Sequence, residues 1–297
     1  MESIETQKIG FGTLVLKETY FSIFKVLRFM TSTSLLLALN SVMVVVFGSL
    51  LYNAMIMPVM LLAAFLVTFS VYGLNKITDK AEDSINKPET APWASGYFLV
   101  FSIGSMLSGF LIGMLVGVWT FLVLFAPVII GVIYSVKVSK SIPRLKEVVG
   151  VKSLVVAMSW ALTGCLLPDS LSTAKLQAGV IVFTYIFIRV FVGTILCDVL
   201  DKKGDLASGV QTIPTRLGRN KTKNLLIFLN SIGAILSVYC VLTGIFIRFV
   251  PALIFGVSYG YLAIWYLFKD NCKRFTAGLM LDGEWLPIVI ILFLLTK

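Results

Sequence analysis

Nine apolar runs, most of them about 20 residues long, follow one another along this chain with only short polar segments between them. Roughly 20 apolar residues in a helix cross a hydrocarbon core. Within that core every backbone N–H and C=O must find its partner inside the protein. The runs therefore read as transmembrane helices at about 33–52, 54–74, 95–116, 118–136, 149–167, 176–199, 225–246, 249–268 and 281–296. Ahead of them, 13–30 sets Leu14, Leu16, Phe21, Phe24, Leu27 and Phe29 among Lys17, Glu18, Lys25 and Arg28, the pattern of an amphipathic helix lying in the membrane interface. No polar stretch between the runs is long enough to bury a core of its own. The expected fold is an all-α polytopic membrane protein forming a single domain over 1–297. Its nine transmembrane helices surround a central cavity, with cytoplasmic cap loops or short helices.

Composition agrees. Charged residues make up 13% of the chain and hydrophobic ones 58%, where a soluble domain carries about a quarter charged residues. The net charge of +10 is divided among short inter-helix segments rather than gathered on one element, so it does not mark a nucleic-acid partner. It sets orientation instead. Apart from Lys175, Arg248 and Lys297, and Arg189 inside the sixth run, all 25 Lys and Arg residues fall on the side of the N-terminus. Positive charge stays inside, which places the N-terminus and the segments after the second and sixth runs in the cytoplasm of a multi-pass cell-membrane protein. Membrane lipid is thus its first partner. Histidine is absent, which removes imidazole metal sites, Ser-His-Asp triads and histidine general bases. Cys165, Cys197, Cys240 and Cys272 show no ligand spacing and read as buried thiols. The opening MESIETQKIG is acidic and lacks an early apolar core, so no cleaved signal peptide is expected.

In so apolar a chain, clustered carboxylates stand out. Asn75, Asp79 and Asp83 follow the second run in LNKITDKAED, and Asp198, Asp201 and Asp205 close the sixth in CDVLDKKGD. The same interval, 122 residues, separates Asp79 from Asp201 and Asp83 from Asp205, with four spans between. Residues three and four apart share one face of a helix, so each set forms a stripe, and both stripes lie at the cytoplasmic side. As solvated loop acids they would be offset by Lys76, Lys80, Lys202 and Lys203. Matched on one side of the membrane, they fit two Mg²⁺ ions, each taking one or two carboxylates and sharing phosphate oxygens with a substrate. Asp79, Asp83, Asp201 and Asp205 are the candidate metal ligands.

Further candidates lie around them. Tyr134, Ser135 and Lys137 end the fourth run and suit a phosphate, although Tyr and Lys are also ordinary interface anchors. Arg189 sits near the middle of the sixth run. An intramembrane Arg faces a cavity or a carboxylate, and helical offsets turn this one away from Asp198. Arg28 is a candidate substrate contact or a plain interfacial charge.

These residues resemble the UbiA superfamily of intramembrane prenyltransferases. The family's first motif runs Asn-x-x-x-Asp-x-x-x-Asp and its second Asp-x-x-Asp-x-x-x-Asp, as at Asn75–Asp83 and Asp198–Asp205. Asn86-Lys87-Pro88, Tyr134-Ser135-x-Lys137, and Gly209, Thr212, Pro214 and Gly218 are similar to further family elements. The chain departs at Lys76, where many members carry Asp, and at Lys87, where many carry Arg. The resemblance implies transfer of a prenyl group from an isoprenyl diphosphate to a hydrophobic acceptor, an aromatic quinone precursor or an isoprenyl glycerol phosphate. It implies that Asp79, Asp83, Asp201 and Asp205 hold two Mg²⁺, that Asn75 and Asp198 support them, and that Tyr134 and Lys137 steady the leaving diphosphate. Arg28, Ser135 and Arg189 are the remaining substrate-binding candidates, and the segments at about 75–94 and 200–223 are expected to act as a lid. Two rivals use similar acids. A secondary transporter normally places them near the midplane, not at span ends, and a CDP-alcohol phosphotransferase would need an Asp-Gly…Ala-Arg element that Asp282-Gly283 does not extend.

Overall fold

A computed structural model describes residues 21–135, 148–169 and 175–297, with backbone alone for Ala81, Glu82 and 131–135. Every regular element among the described residues is helical. The first, α1 (Phe21–Ser32), meets α2 (Leu35–Leu51) at an 80° bend. The break has a local cause in Thr31-Ser32-Thr33-Ser34. Ser32 Oγ and Thr33 Oγ1 both donate to the Phe29 carbonyl, which draws side chains onto the last turn of α1. Ser34 then turns left-handed, with φ 65°. Residues 13–20 of the expected interfacial helix lie outside the described residues.

The chain continues through α3 (Pro58–Thr78), α4 (Lys80–Asn86), a 3₁₀ turn at Pro88–Trp93, α5 (Gly96–Val116) and α6 (Val118–Ser135). Then come α7 (Val151–Asp169), α8 (Leu176–Ala207), α9 (Ile213–Thr243), α10 (Val250–Leu267), α11 (Arg274–Asp282) and α12 (Trp285–Thr296). Among the described residues seven helices are long and apolar enough to cross a membrane: α3, α5, α7, α8, α9, α10 with its preceding turn, and α11 joined to α12. The bent pair α1–α2 would make an eighth, and α6 is apolar but shorter over Val118–Ile130. The predicted span at 33–52 is helical over Leu35–Leu51 and that at 118–136 over Val118–Ser135, yet both stand outside the seven.

Two boundaries differ from expectation in an instructive way. The sixth run ends near 199, but α8 continues to Ala207. Its 32 residues make a rod about 48 Å long, well beyond the hydrocarbon thickness of about 30 Å. Hydropathy marks where lipid stops, whereas the helix runs on through DKKGD as a polar extension. The seventh run begins near 225, but α9 starts at Ile213, after Thr212 closes a reciprocal capping bond with Thr215. Pro214 occupies the first turn and Gly218 (φ 74°) breaks the helix just beyond it.

Consecutive long helices pack side by side from α2 through α10, and α12 returns to pack on both α10 and α2, so the bundle closes on itself. At the seam Phe47 of α2 stacks on Tyr185 of α8, with ring centroids 5.4 Å apart, and meets Trp285 of α12 edge-on at 5.3 Å. All three are buried. Across from this seam α2 and α7 cross at glycines. A Cβ on Gly48 would strike the Gly164 carbonyl, and one on Gly164 would strike Val44, so small residues set the approach distance. The outward faces carry Phe101, Leu111, Leu115, Phe228, Ile235 and Leu242, the apolar exterior that a lipid-facing bundle requires.

Candidate active site

The first stripe forms because helical bonding carries on past the apex of α3. Asp79 N donates to Asn75 O at 2.8 Å, Asp83 N to Asp79 O at 2.9 Å and Lys87 N to Asp83 O at 2.7 Å. Asn75, Asp79, Asp83 and Lys87 therefore share one face through α3 and α4 although the backbone bends at Asp79. Opposite them, the polar extension of α8 carries Asp198, Asp201 and Asp205, all buried. The segments expected to form a lid are thus largely helix: α4 and the 3₁₀ turn on one side, the end of α8 on the other. One bond staples them together, from Gly204 N to Asn86 Oδ1 at 2.9 Å.

Both stripes line a single cavity of about 590 Å³. Asn75, Asp79, Asp83, Asp198, Asp201 and Asp205 all face it, as does Arg28 on α1. Basic side chains from three separate elements reach the second stripe. Lys87 Nζ stands 3.1 Å from Asp201 Oδ2, Lys152 Nζ stands 3.4 Å from Asp198 Oδ1 and 3.8 Å from Asp205 Oδ1, and Arg274 pairs with Asp201. Ser153 Oγ donates to Asp198 Oδ2 at 2.8 Å. Lys87 is only part-buried, and against that partial desolvation the Asp201 and Asp83 carboxylates hold its pKa above the ordinary lysine range. Burial pushes the Asp83 carboxyl up, against the pull of Lys87 and Lys76.

The donor set suits a hard divalent cation. It consists of carboxylate and amide oxygens disposed around one cavity, with no histidine in the chain, and Mg²⁺ is an oxygen-seeking ion that keeps several waters and leans on one or two carboxylates. Among the described residues no group of three or more acidic or thiol side chains is gathered tightly enough to hold an ion by itself. Lysine and arginine supply the compensating charge instead. An ion bound by one or two carboxylates and by oxygens of a ligand is consistent with that spacing.

Beyond the charged mouth the cavity becomes apolar. Tyr72 and Trp160 face each other across it, with Trp160 Nε1 donating to Tyr72 Oη at 2.9 Å. Past that pair lies a second compartment of about 90 Å³ between α2, α3, α6 and α7, lined largely by Val44, Val67, Val71, Leu124, Pro127 and Val155. Tyr72, Trp160, Asn75 and Val156 line both spaces.

Arg189 does not line the cavity. Its Nη2 donates to Glu284 Oε2 at 2.6 Å and its Nη1 to Asn230 Oδ1 at 2.7 Å, so its carboxylate partner comes from the junction of α11 and α12. The side chains of Tyr134 and Ser135, and all of Lys137, lie outside the described residues. Sequence spacing missed Lys152, Ser153, Arg274, Asp282 and Glu284, all of which line the cavity. Lys152, Ser153 and Arg274 come from helices other than the one carrying the aspartates they meet, and Asp282 and Glu284 from the junction of α11 and α12, so no local pattern announces them. Lys152 and Arg274 were legible only as part of the basic charge between the apolar runs.

Comparison with known proteins gives a consistent picture. The UbiA prenyltransferase family profile matches residues 41–280. Among solved structures, a UbiA homologue from Archaeoglobus fulgidus bound to GPP and Mg²⁺ superposes with a TM-score of 0.70 at 17% identity, covering 90% of this chain and 99% of that one. A UbiA homologue from Aeropyrum pernix K1 in its apo form gives 0.65 at 16%, covering 86% and 97%. A digeranylgeranylglyceryl phosphate synthase gives 0.58 at 18%, covering 90% and 96%. At these identities the likeness is one of fold. No curated protein matches the chain.

Proposed function

This chain belongs to the UbiA prenyltransferase family, and we propose that it transfers a prenyl group from an isoprenyl diphosphate to a hydrophobic acceptor in a Mg²⁺-dependent reaction at the cytoplasmic mouth of the bundle. One observation carries the reading: two aspartate stripes 122 residues apart in sequence line one cavity whose walls turn apolar with depth. A substrate with a polyanionic head and a hydrocarbon tail matches both parts. Membership in a family of transferases replaces the transporter reading that paired acids also raise.

Asp79, Asp83, Asp201 and Asp205 would hold the metal, two ions in the arrangement expected from the motifs, with Asn75 and Asp198 supporting. When bound there, Mg²⁺ offsets the charge of the diphosphate and favours its departure. Lys87, Lys152 and Arg274 line the same mouth and are placed to turn toward phosphate oxygens. Arg28 meets the donor at the rim, with Lys137, Tyr134 and Ser135 steadying the leaving group. The allylic C–O bond breaks with its electron pair going to the diphosphate, the acceptor captures the carbon, and one proton leaves the acceptor for Asp198, Asn75 or the departing diphosphate. Apolar walls keep water from capturing the same carbon.

The acceptor class proposed first is an aromatic quinone precursor. A second reading, transfer to an isoprenyl glycerol phosphate, is favoured by the likeness to the digeranylgeranylglyceryl phosphate synthase. The nine predicted spans, with α1 in the interface and the N-terminus cytoplasmic, complete the proposal. The test is turnover by purified protein in detergent with Mg²⁺, geranyl diphosphate and a panel of acceptors. Asp79→Ala and Asp201→Ala should release no diphosphate while melting cooperatively, and wild-type turnover by either would sink the assignment.

A further inference from the structure

The described cavity has one acidic wall residue whose counter-ion sits deep in the bundle. Glu284 lines the space beside Asn40, Trp285 and Thr194, yet it is 4% exposed, and its ion-pair partner Arg189 is 1% exposed. Three helices collaborate to hold the pair. Arg189 comes from α8 and Asn230 from α9, and Asn230 also donates to the Val257 carbonyl of α10 at 2.9 Å. Gly260 of α10 presses against both, since a Cβ there would strike Arg189 Nη1 and Asn230 Oδ1. A buried ion pair is a poor route to stability, because desolvating two charges costs several kcal/mol per ion. Ionisable groups within a membrane bundle are instead functional candidates by default. Of this trio only Glu284 lines the cavity, and it stands outside both aspartate motifs.

We propose that Glu284 is the acceptor-recognition group of this cavity: its carboxylate accepts a hydrogen bond from a hydroxyl of the acceptor, while Arg189 and Asn230 act as positioning residues that hold it ionised and aimed. The inference rests on the prenyl-transfer reading and adds to it the chemistry of the second substrate. An ionised carboxylate has only acceptor capacity, so it selects a ligand that donates, and a bond to a charged group is about twice as strong as a neutral one. With Arg189 already bound to Oε2, the orientation is fixed before the ligand arrives. A site built to bond a hydroxyl also discriminates sharply against the analogue that lacks it.

The test uses the Mg²⁺-loaded protein with an unreactive thiolodiphosphate analogue of geranyl diphosphate, and compares binding of 2-naphthol with that of 2-methoxynaphthalene by calorimetry. Wild type should prefer the naphthol by about tenfold or more. The double variant Arg189→Met with Glu284→Leu removes both charges and keeps the volume, so it should fold, bind the donor analogue as wild type does and lose the preference. Glu284→Gln, which leaves Arg189 with an amide partner, should lose most of it. Equal affinity for the two probes in wild type, or a preference that survives in the double variant, overturns the proposal. Failure of wild type to release diphosphate from geranyl diphosphate would overturn the transferase reading, and the naphthol comparison would still decide the role of Glu284 by itself.

Discussion

Lys87 Nζ stands 3.1 Å from Asp201 Oδ2, so the residue one helical turn beyond the first aspartate stripe closes onto the middle of the second. The contact spans the cavity mouth and brings positive charge to Asp201, which Arg274 also pairs with. Lysine and arginine therefore occupy ground that a divalent cation would share.

Lys87→Met should accordingly matter most when metal is absent. The lysine is part-exposed, so the loss should be near 1 kcal/mol, or about 2–4 °C in melting temperature. Saturating Mg²⁺ with a diphosphate should narrow the gap by supplying replacement charge. Thermal melts with and without Mg²⁺ check this, and an identical drop in both conditions would count against it.

Asn86→Ala removes the staple between the first stripe and the turn of α8 that lies between Asp201 and Asp205. Asn86 contributes no charge, so folding should survive. The two stripes would lose their fixed spacing, and Mg²⁺ affinity should fall about tenfold, the lower end for partners that orient ligands. Titration of Mg²⁺ in the presence of diphosphate reads the effect.

The Tyr72–Trp160 pair stands between the main cavity and the smaller apolar compartment. About 90 Å³ is less than a cavity of roughly 150 Å³ that takes up benzene, which puts it on the scale of one five-carbon unit. Trp160→Ala should open the passage and raise kcat/KM for a donor one isoprene unit longer by about tenfold relative to the shorter one. Tyr72→Phe, which removes the bond but little volume, should shift the preference far less. Competition between paired donors of different length measures both. An unchanged ratio in Trp160→Ala would show that this pair does not limit the tail.

Gly48→Ala and Gly164→Ala each insert a methyl where α2 and α7 touch backbone to side chain. Overpacking of this kind costs about 1–3 kcal/mol, and the helices must separate to relieve it. Reduced melting temperature in detergent, with diphosphate release falling only as the folded fraction falls, is the expected pattern.

Much of this was legible in the sequence. Both stripes follow from three- and four-residue spacing, and the structure sets both along one cavity. What escaped had a physical reason in each case. The polar end of α8 read as a loop because hydropathy reports lipid contact and not hydrogen bonding, although DKKGD continues the helix to Ala207. The bend between α1 and α2 arises from serine and threonine hydroxyls folding back on Phe29, a competition that an apolarity scan does not register. Arg189 was recognisable as a residue in need of a carboxylate, but the carboxylate lies 95 residues away at Glu284. Long-range meetings of this kind depend on which helices become neighbours.

The closed ring also bears on biogenesis. Phe47 near the start of the bundle completes its packing only against Trp285 near the end. A ribosome feeding this chain into a bilayer therefore delivers α2 long before its last neighbour exists. Until α12 arrives, Phe47 can stack on Tyr185 of α8 but lacks the edge-on ring of Trp285. Glu284, one residue before Trp285, arrives in the same step, so Arg189 waits in the membrane without its counter-ion until another 95 residues have been made. Assembly of the bundle and neutralisation of its buried arginine are thus one event, and a ribosome stalled before Glu284 would expose both defects to quality control together.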